Sequence, residues 1–184
     1  MTILVTGGAG FIGSNFIIEW LNIKDEKVIN VDKLTYAGNL LNLESVSKNK
    51  DYFFEKADIC DFHRISQIFD KYNPRAIIHF AAESHVDRSI KGPSEFISTN
   101  ILGTFNLLEI VRKKYESRYI NNDFRFIHIS TDEVYGSLGI EEKPFTEKNQ
   151  YCPNSPYSAS KASSDHLVRS YFKTYRVPSI ITNC

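Results

Sequence analysis

Tyr157 and Lys161 lie four residues apart in a stretch with helical periodicity, Pro156–Tyr175. On a helix this spacing places both side chains on one face, within reach of a common ligand. A phenol titrates near ~10, so Tyr157 can act as a base at neutral pH only if its pKa falls by a few units. Lys161 and an oxidised nicotinamide ring are two positive charges that would lower it. Taken alone, the pattern is more often a surface tyrosine beside a solvated lysine.

Two carboxyl side chains, Asp132 and Glu133, follow Thr131 directly after an apolar, strand-like run. One ionised and one protonated carboxyl in the same dry pocket can remove a proton and protonate a leaving hydroxyl, which is the chemistry of water elimination. Adjacent residues of a strand point to opposite faces, so the chain must bend after Thr131 for both carboxyls to face one substrate. A solvated loop is the alternative interpretation of a bare Asp-Glu pair.

The first strand-like run leads into a glycine-rich loop, Gly7, Gly10 and Gly13, and then into an amphipathic segment. Glycines at such a turn let backbone N–H groups and a helix N-terminus approach a pyrophosphate closely. Asp32 ends the next strand-like run, roughly 20 residues further on, where a carboxylate meets an adenosine ribose. The combination predicts a dinucleotide site. The carboxylate favours NAD over NADP because it repels a 2′-phosphate, although the adjacent Lys33 weakens that preference.

Short β-rich runs alternate with longer helical patterns, which is typical of a parallel sheet with helices on both faces. Several of these runs are almost continuously apolar, as strands covered on both sides should be. The pattern predicts an α/β fold with a Rossmann-like, doubly wound parallel sheet. The six expected strands are Ile3–Thr6, Lys27–Val31, Tyr52–Lys56, Ala76–Phe80, Phe126–Ser130 and Ser179–Thr182. The expected helices are Phe11–Leu21, Phe62–Tyr72 with Asp61 as N-cap, Ser94–Tyr115, and Pro156–Tyr175 with Ser155 as N-cap.

The composition fits one globular domain, since the chain has 184 residues, of which 42% are hydrophobic and 24% charged. Its 22 basic residues balance 22 acidic ones, which argues against nucleic acid or an anionic membrane surface as a partner. Three widely spaced cysteines, Cys60, Cys152 and Cys184, form neither a disulfide nor a metal-ligand pattern, so no metal is expected. No signal peptide or long apolar run is evident, and a cytoplasmic location is expected.

Three segments resemble the extended short-chain dehydrogenase/reductase family, and its nucleotide-sugar 4,6-dehydratases in particular. One is the catalytic-type segment Ser130-Thr131-Asp132-Glu133-Val134-Tyr135-Gly136. The others are similar to the thymidine-linked members, which act on dTDP-glucose, and are Asp32-Lys33-Leu34-Thr35-Tyr36-Ala37-Gly38-Asn39 and His79-Phe80-Ala81-Ala82-Glu83-Ser84-His85-Val86-Asp87-Arg88-Ser89. The resemblance covers the whole chain. It implies oxidation of the sugar at C4, loss of water across C5 and C6, and return of the hydride to C6.

The resemblance implies that Thr131 holds the sugar O4, that Asp132 is the acid and that Glu133 is the base. Tyr157 with Lys161 would run the hydride step. Ser84 is also expected near the sugar. The NAD contacts that the resemblance implies are Phe11, Ile12, Asp32, Lys33, Leu34, Thr35, Asp58, Ile59, Phe80, Ala81, Ala82, Glu83, Ser84, Thr99, Tyr157, Lys161 and Asn183.

A homodimer is also implied, through the helices Ser94–Tyr115 and Pro156–Tyr175. The apolar residues of these helices are equally compatible with the core, namely Leu107, Leu108, Val111, Tyr171 and Phe172. Three histidines have no reliable ligand spacing and are expected to be packing or loop residues: His79, His85 and His128.

Members of this family continue beyond the sixth strand into a smaller lobe that grips the nucleotide. Residues 1–184 are therefore expected to form the NAD-binding domain with the catalytic side chains, without most of the substrate lobe. Two alternative functions stay open. A nucleotide-sugar 4-epimerase would use the same loop, threonine, tyrosine and lysine, but has no use for an acid and a base at Asp132 and Glu133. A noncatalytic NAD-binding module is the other.

Overall fold

A six-stranded parallel sheet forms the centre of the protein, in a computed structural model that describes residues 1–117, 119–120 and 123–184. The strand order is β3-β2-β1-β4-β5-β6, which is that of a Rossmann sheet. The strands are β1 (Thr2–Thr6), β2 (Lys27–Asp32), β3 (Tyr52–Lys56), β4 (Ala76–His79), β5 (Arg125–Ser130) and β6 (Ser179–Asn183). The predicted fold class and all six predicted strands are confirmed, and each strand end lies within one residue of its predicted position.

Helices cover both faces of the sheet. They are α1 (Phe11–Ile23), α2 (Phe62–Tyr72), α3 (Val86–Lys91), α4 (Ser94–Phe96), α5 (Thr104–Glu116) and α6 (Pro156–Tyr175). Alternate strand residues face opposite layers. Ile3 and Val5 pack with Ile17 of α1, whereas Leu4 and Ile77 pack with residues of α2, α5 and α6. The strands are apolar on both sides because both sides are covered.

The predicted capping residues set the ends of two helices. The Asp61 carboxylate accepts a hydrogen bond from the Arg64 N–H (3.0 Å) at the start of α2. Ser155 begins α6 in a reciprocal capping box with Ser158, followed by Pro156 as the first helical residue. At the end of α2, Asn73 takes the left-handed conformation and Pro74 follows. The signals at Ser155 and Pro156 fix where α6, the helix that carries Tyr157 and Lys161, begins.

One long predicted helix, Ser94–Tyr115, is interrupted in the structure. Its middle, Ile97–Gly103, is wound as a π-helix between α4 and α5. Gly103 packs against Ile59, and a Cβ on this glycine would lie 2.4 Å from Ile59 Cδ1. The helix α3 and a 3₁₀ segment, Leu40–Val46, were not predicted. Both are short, and their stability comes from packing rather than from a long periodic pattern.

Most of the apolar residues considered for a dimer surface belong to the core. Leu107, Leu108 and Val111 of α5 are fully buried, and Tyr171 of α6 is nearly so, whereas Phe172 is 41% exposed. His79 and His128 are buried, as expected for packing residues. No helix in the described part of the chain is both long enough and apolar enough to cross a membrane.

Candidate active site

The glycine loop between β1 and α1 is held by close backbone contacts. Gly7 has a φ of +71°, and its N–H donates to the Val31 carbonyl at 2.8 Å. A Cβ on Gly7 would lie 2.5 Å from the Ala81 nitrogen, and one on Gly13 would lie 2.4 Å from the Gly7 oxygen. Both positions therefore require glycine for steric reasons. Gly10 differs, because a Cβ on this residue would lie 3.3 Å from the nearest atom, the Gly7 oxygen.

The N-terminus of α1 is open to ligand. Gly10 begins this helix, and Phe11 and Ile12 in its first turn are 82% and 52% exposed. The first N–H groups of a helix have no partner within the helix and carry a partial positive charge. An anion such as a pyrophosphate is therefore stabilised at this position.

Asp32 at the end of β2 orders two loops with its carboxylate. Oδ2 accepts from the Ala9 N–H (3.0 Å) in the glycine loop, and Oδ1 accepts from the Leu34 N–H (2.8 Å). Leu34 itself has a φ of +59°. Carboxylate oxygens each have a second lone pair, so the predicted ribose contact is compatible with these bonds. The structure adds a role in shaping the loop that the sequence pattern did not indicate.

Lys33 and Asp58 form an ion pair beside this carboxylate, with Nζ and Oδ2 3.3 Å apart. Burial raises the pKa of Asp58, but the Cys60 N–H and the charge of Lys33 outweigh it, and the net pKa is lowered. Lys33 therefore has an anionic partner within the protein. This ion pair offsets the positive charge of Lys33 that would otherwise attract a 2′-phosphate.

These elements surround a cavity of about 400 Å³ along the carboxyl ends of the strands. Its size falls in the range of small-molecule sites. The predicted residues that line it are Gly7, Gly10, Phe11, Ile12, Gly13, Asp32, Lys33, Thr35, Asp58, Ile59, Phe80, Ala81, Ala82, Glu83, Ser84, Thr99, Tyr157 and Lys161. Lining residues that were not predicted include Val31, Ala37, Gly38, Ala57, Ile129 and Ser130.

Five predicted site residues lie outside the lining of this cavity: Leu34, Thr131, Asp132, Glu133 and Asn183. Leu34 instead donates a hydrogen bond from its N–H to the Asp32 carboxylate. Asn183 donates from Nδ2 to the Thr131 carbonyl at 3.0 Å, so it supports the segment with the two carboxyls. The structure thus separates the cavity beside the glycine loop from a neighbouring group of polar residues at its end.

Tyr157 and Lys161 lie on α6 at that end of the cavity. Lys161 is 4% exposed, and its Nζ donates to the Ile129 carbonyl at 2.7 Å. Burial lowers the pKa of Lys161 to about 8, while the charge of Asp165 acts in the opposite direction. The ammonium group is thus close to its titration point near neutral pH.

Burial raises the pKa of the Tyr157 phenol, and a hydrogen bond with Thr131 lowers it. The negative charges of Glu133, Asp132 and Asp165 raise it further, and the net pKa is raised. The sequence predicted a phenol whose pKa falls. The protein alone shifts it the other way, because burial and three carboxylates act on the phenol.

The chain bends after Thr131, as the predicted chemistry requires. Thr131 is extended and caps a 3₁₀ turn over Asp132–Tyr135, with its hydroxyl accepting from the Glu133 N–H at 3.3 Å. Asp132 is exposed and Glu133 is half-buried. Burial raises the pKa of Glu133, and the charge of Asp132 adds to this effect. Both carboxyls are close enough to Tyr157 to influence its phenol.

A buried polar network behind Lys161 was missed by sequence reasoning. Asp165, one turn further along α6, accepts from Ser130 Oγ (2.7 Å) and Tyr151 Oη (2.9 Å). Its Oδ1 lies 3.3 Å from His128 Nε2. The only available signal was the spacing, since Tyr157, Lys161 and Asp165 follow each other at four-residue intervals on one helical face.

Asn100 in the π segment is a second residue that the sequence did not reveal. Its side chain accepts from the Glu83 N–H (2.8 Å) and donates to the Glu83 carbonyl (2.9 Å) and to Ser160 Oγ (2.8 Å). These bonds join the cavity-lining loop after β4 to α6. An asparagine in an apolar helix was the only available signal.

Together, the sheet order, the glycine loop and the Tyr-Lys pair define a dinucleotide-binding α/β protein with oxidoreductase-type groups in its site. Residues 4–184 match the model of the family described as GDP-mannose 4,6 dehydratase, and the chain belongs to that family. It is 54% identical to dTDP-glucose 4,6-dehydratase from Salmonella typhimurium, over all of this chain and 54% of the relative. The chain spans about half the length of the curated relatives it matches.

Solved structures show the same relationship. DesIV from Streptomyces venezuelae, a dTDP-glucose 4,6-dehydratase crystallised with NAD bound, is 44% identical with a TM-score of 0.90. UDP-glucose 4-epimerase from Thermus thermophilus, in complex with NAD, is 30% identical with a TM-score of 0.86. The matches cover all of this chain and 55% and 54% of those chains, respectively. The fold is thus common to both activities.

Proposed function

We propose that residues 1–184 form the NAD-binding domain of a dTDP-glucose 4,6-dehydratase and carry its catalytic side chains. The observation that carries this proposal is the bend after Thr131. It brings two carboxyls close enough to the Tyr157 phenol to raise its pKa, and the buried Lys161 follows one helical turn later. A sugar oxidation alone needs only the tyrosine and lysine, whereas elimination also needs an acid and a base.

The residues of the cavity fit NAD. The glycines leave backbone space at a helix N-terminus for the pyrophosphate, and Asp32 lies at the end of β2 for the adenosine ribose. When bound, NAD supplies the acceptor and donor of the hydride and a positive ring charge near Tyr157. That charge opposes the rise in the phenol pKa that burial and the nearby carboxylates cause.

In the first step, Tyr157 takes the proton of the sugar C4 hydroxyl while the C4 hydride is removed, which leaves a C4 ketone. Thr131 holds the sugar O4, and the Lys161 charge favours the ionised phenol. The Thr131 side chain lowers the pKa of this phenol, so the two hydroxyls lie near each other and can address one oxygen of the substrate.

In the second step, the ketone makes the C5 proton acidic. Glu133 removes this proton and Asp132 protonates the departing C6 hydroxyl, so that water leaves and a C5–C6 double bond forms. Return of the hydride to C6 and of a proton to C5 gives the 4-keto-6-deoxy sugar with no net redox change. The raised pKa of Glu133 makes it a stronger base than an exposed glutamate.

Substrate recognition is shared with residues outside this chain in our proposal, because the relatives are almost twice as long. Contacts to the nonreacting nucleotide help to position the sugar, so their loss depresses turnover as well as affinity. The 184-residue chain is therefore expected to bind NAD but to dehydrate dTDP-glucose poorly.

We also propose a cytoplasmic homodimer, in line with the free Cys60, Cys152 and Cys184. Exposed apolar side chains on the π segment, α5 and α6 support a contact between copies through these helices. They are Leu102, Phe105, Phe172 and Tyr175, which are 39% to 53% exposed.

The decisive experiment supplies NAD and dTDP-glucose to a chain extended to the length of the relatives and identifies the product. A 4-keto-6-deoxy sugar supports the proposal, and a 4-epimer would instead select an epimerase, the activity named for the Thermus thermophilus structure with the same fold. NAD binding with no reaction would leave a noncatalytic module. Full turnover by residues 1–184 alone would contradict the role assigned to the additional residues.

Glu133→Gln sharpens this test. The variant keeps the shape of the side chain but cannot accept the C5 proton, so it should oxidise the sugar and reduce NAD without releasing 6-deoxy product. The matched control is Glu142→Gln, an exposed glutamate in the loop beyond the 3₁₀ turn, which should behave like the unmodified chain.

A further inference from the structure

Asp165 is a buried carboxyl group to which the proposed reaction gives no role. It is 2% exposed and lies one helical turn beyond Lys161, which is 4% exposed. Both of its oxygens face polar groups: Oδ2 accepts from Ser130 and Tyr151, and Oδ1 faces the His128 ring. A buried carboxylate is stabilised by hydrogen-bond donors, which Ser130 and Tyr151 supply, and further by a nearby cationic partner.

The neighbouring ionisable groups identify that partner. Burial holds the pKa of His79 and His128 well below the ordinary range, and the positive charge of Lys161 adds to the effect on both rings. Both histidines are therefore neutral near pH 7. This leaves Lys161 as the buried cation that acts on Asp165, ahead of the exposed His166. Asp165 is in turn the larger of the two negative influences on Lys161, ahead of Cys184.

Hydrogen bonds join Asp165 to two other parts of the fold. Ser130 ends β5, directly before Thr131, and Tyr151 belongs to the loop that leads to α6. The Lys161 ammonium donates to Ile129, two residues before Thr131. Lys161 and Asp165 thus hold the same end of β5 from one helical face, and this strand end leads into the segment with the two carboxyls.

We propose that Asp165 is a positioning residue that keeps the Lys161 ammonium charged and holds the end of β5 in place for the Thr131 segment. The part of this inference that concerns turnover rests on the proposed function. The part that concerns the charge of Lys161 does not. Burial of an ammonium group disfavours its charged form, and the nearby carboxylate offsets this cost.

Asp165→Asn tests the charge directly, because the amide keeps the shape and an acceptor oxygen for Ser130 or Tyr151. We would follow the Lys161 ε-methylene resonances by NMR as a function of pH in residues 1–184, and assign them by their loss in Lys161→Arg. The unmodified chain should titrate near the pKa of about 8. In the variant, the acid dissociation constant of the Lys161 ammonium group should be at least about tenfold larger, so its titration midpoint should lie about one pH unit lower.

Glu109→Gln is the matched control. Glu109 accepts a hydrogen bond from Tyr171 Oη (2.6 Å) as Asp165 does from Tyr151, but its charge lies against Arg112. This control should leave the Lys161 titration unchanged. An unchanged titration in a folded Asp165→Asn variant would overturn the proposal.

A second measurement needs no variant at Asp165. Burial raises the pKa of Asp165, and the hydrogen bonds from Ser130 and Tyr151 and the charge of Lys161 oppose this rise only in part. The proposal requires the carboxyl carbon of Asp165 to report an ionised carboxylate at neutral pH in the unmodified chain, because only the ionised form can support Lys161. A protonated Asp165 at neutral pH would overturn the proposal even if Asp165→Asn fails to fold.

The extended chain links the charge to turnover. If Lys161 must be protonated, activity is lost as pH rises through its pKa, and Asp165→Asn should move this alkaline limb to lower pH. If the NMR titration of Lys161 shifts but the alkaline side of the pH–activity profile does not, the effect of Asp165 on the Lys161 charge is retained and the role of Lys161 in the proposed reaction is rejected. No dehydration by the unmodified extended chain would reject the proposed function alone.

Discussion

The two ends of the site differ in the groups that line them, which are backbone atoms at one end and ionisable side chains at the other. At the glycine-loop end, backbone groups approach each other so closely that a single Cβ on Gly7 would lie 2.5 Å from the Ala81 nitrogen. At the Tyr157 end, buried ionisable side chains of β5 and α6 lie next to the two carboxyls of the 3₁₀ turn. The first end is therefore sensitive to added volume, and the second is sensitive to changed charge even when the shape is kept.

Tyr157→Phe removes one hydroxyl from the charged end and should have the largest effect. The phenol is the group that takes the sugar proton, and general acid-base groups contribute about 10²–10⁴-fold to rate. We expect sugar oxidation by the extended chain to fall about 10³-fold. The measurement is the rate of NAD reduction on addition of dTDP-glucose.

NAD affinity provides the contrast within the same variant. The dissociation constant for NAD, measured by calorimetry on residues 1–184, should change by less than about tenfold, because the glycine-loop end is untouched. A large loss of NAD affinity with little loss of oxidation would reverse the comparison between the two ends.

Gly7→Ala tests the steric end. The residue has a φ of +71°, and its Cβ would meet backbone atoms of Ala81 that cannot move independently of β4. We expect a loss of about 3 kcal/mol or more in the free energy of unfolding, measured by urea denaturation. Gly10→Ala is the control, since its Cβ would have one close neighbour, the Gly7 oxygen at 3.3 Å. It should keep most of the stability but weaken NAD binding.

Asp32→Asn tests a residue that contributes both shape and charge at the glycine-loop end. The amide can accept from only one of the Ala9 and Leu34 N–H groups that the carboxylate now satisfies. We expect NAD to bind about tenfold more weakly, equivalent to about 1.4 kcal/mol. Equal NAD affinity in Asp32→Asn and in the exposed control Asp25→Asn would argue against a cofactor role for this carboxylate.

Glu109→Gln measures an ion pair outside the site and should have the smallest effect. Hydrogen bonds from Arg112 lower the pKa of Glu109 from 4.5 to about 2, against the effect of burial. A lowered folded-state pKa adds stability that is fully present above 4.5 and is lost as pH falls towards 2. At neutral pH the variant should be less stable by about 1 kcal/mol. The difference should narrow in acid, as thermal unfolding at several pH values would show.

Local patterns were sufficient to predict the fold and the glycine-loop end. The strands, the glycine spacing and Asp32 are read within about 30 residues, and each depends on neighbours in sequence. Tyr157 and Lys161 were also predicted, because a four-residue spacing on a helix is a local property. The bend after Thr131 was required by the predicted chemistry and is present.

The electrostatics of the charged end could not be predicted from local patterns. The pKa of Tyr157 is raised rather than lowered because burial and three carboxylates, from two different elements, converge on it. Asp165 continues the spacing of Tyr157 and Lys161, yet its burial against Ser130 and Tyr151 depends on how α6 packs on β5. Burial of a charged group follows from tertiary packing, which a single helical pattern does not encode.

The π-wound segment Ile97–Gly103 makes the number of residues in this helix as important as their identity. A π turn contains about one residue more than an α turn, and each helical residue advances the direction of the side chains by about 100°. Deleting one residue here would allow regular α winding but would rotate α5 relative to α4. Thr99 and Asn100 could then no longer point to the cavity and to Glu83 while Gly103 stays against Ile59. Length variation in relatives should therefore avoid this segment.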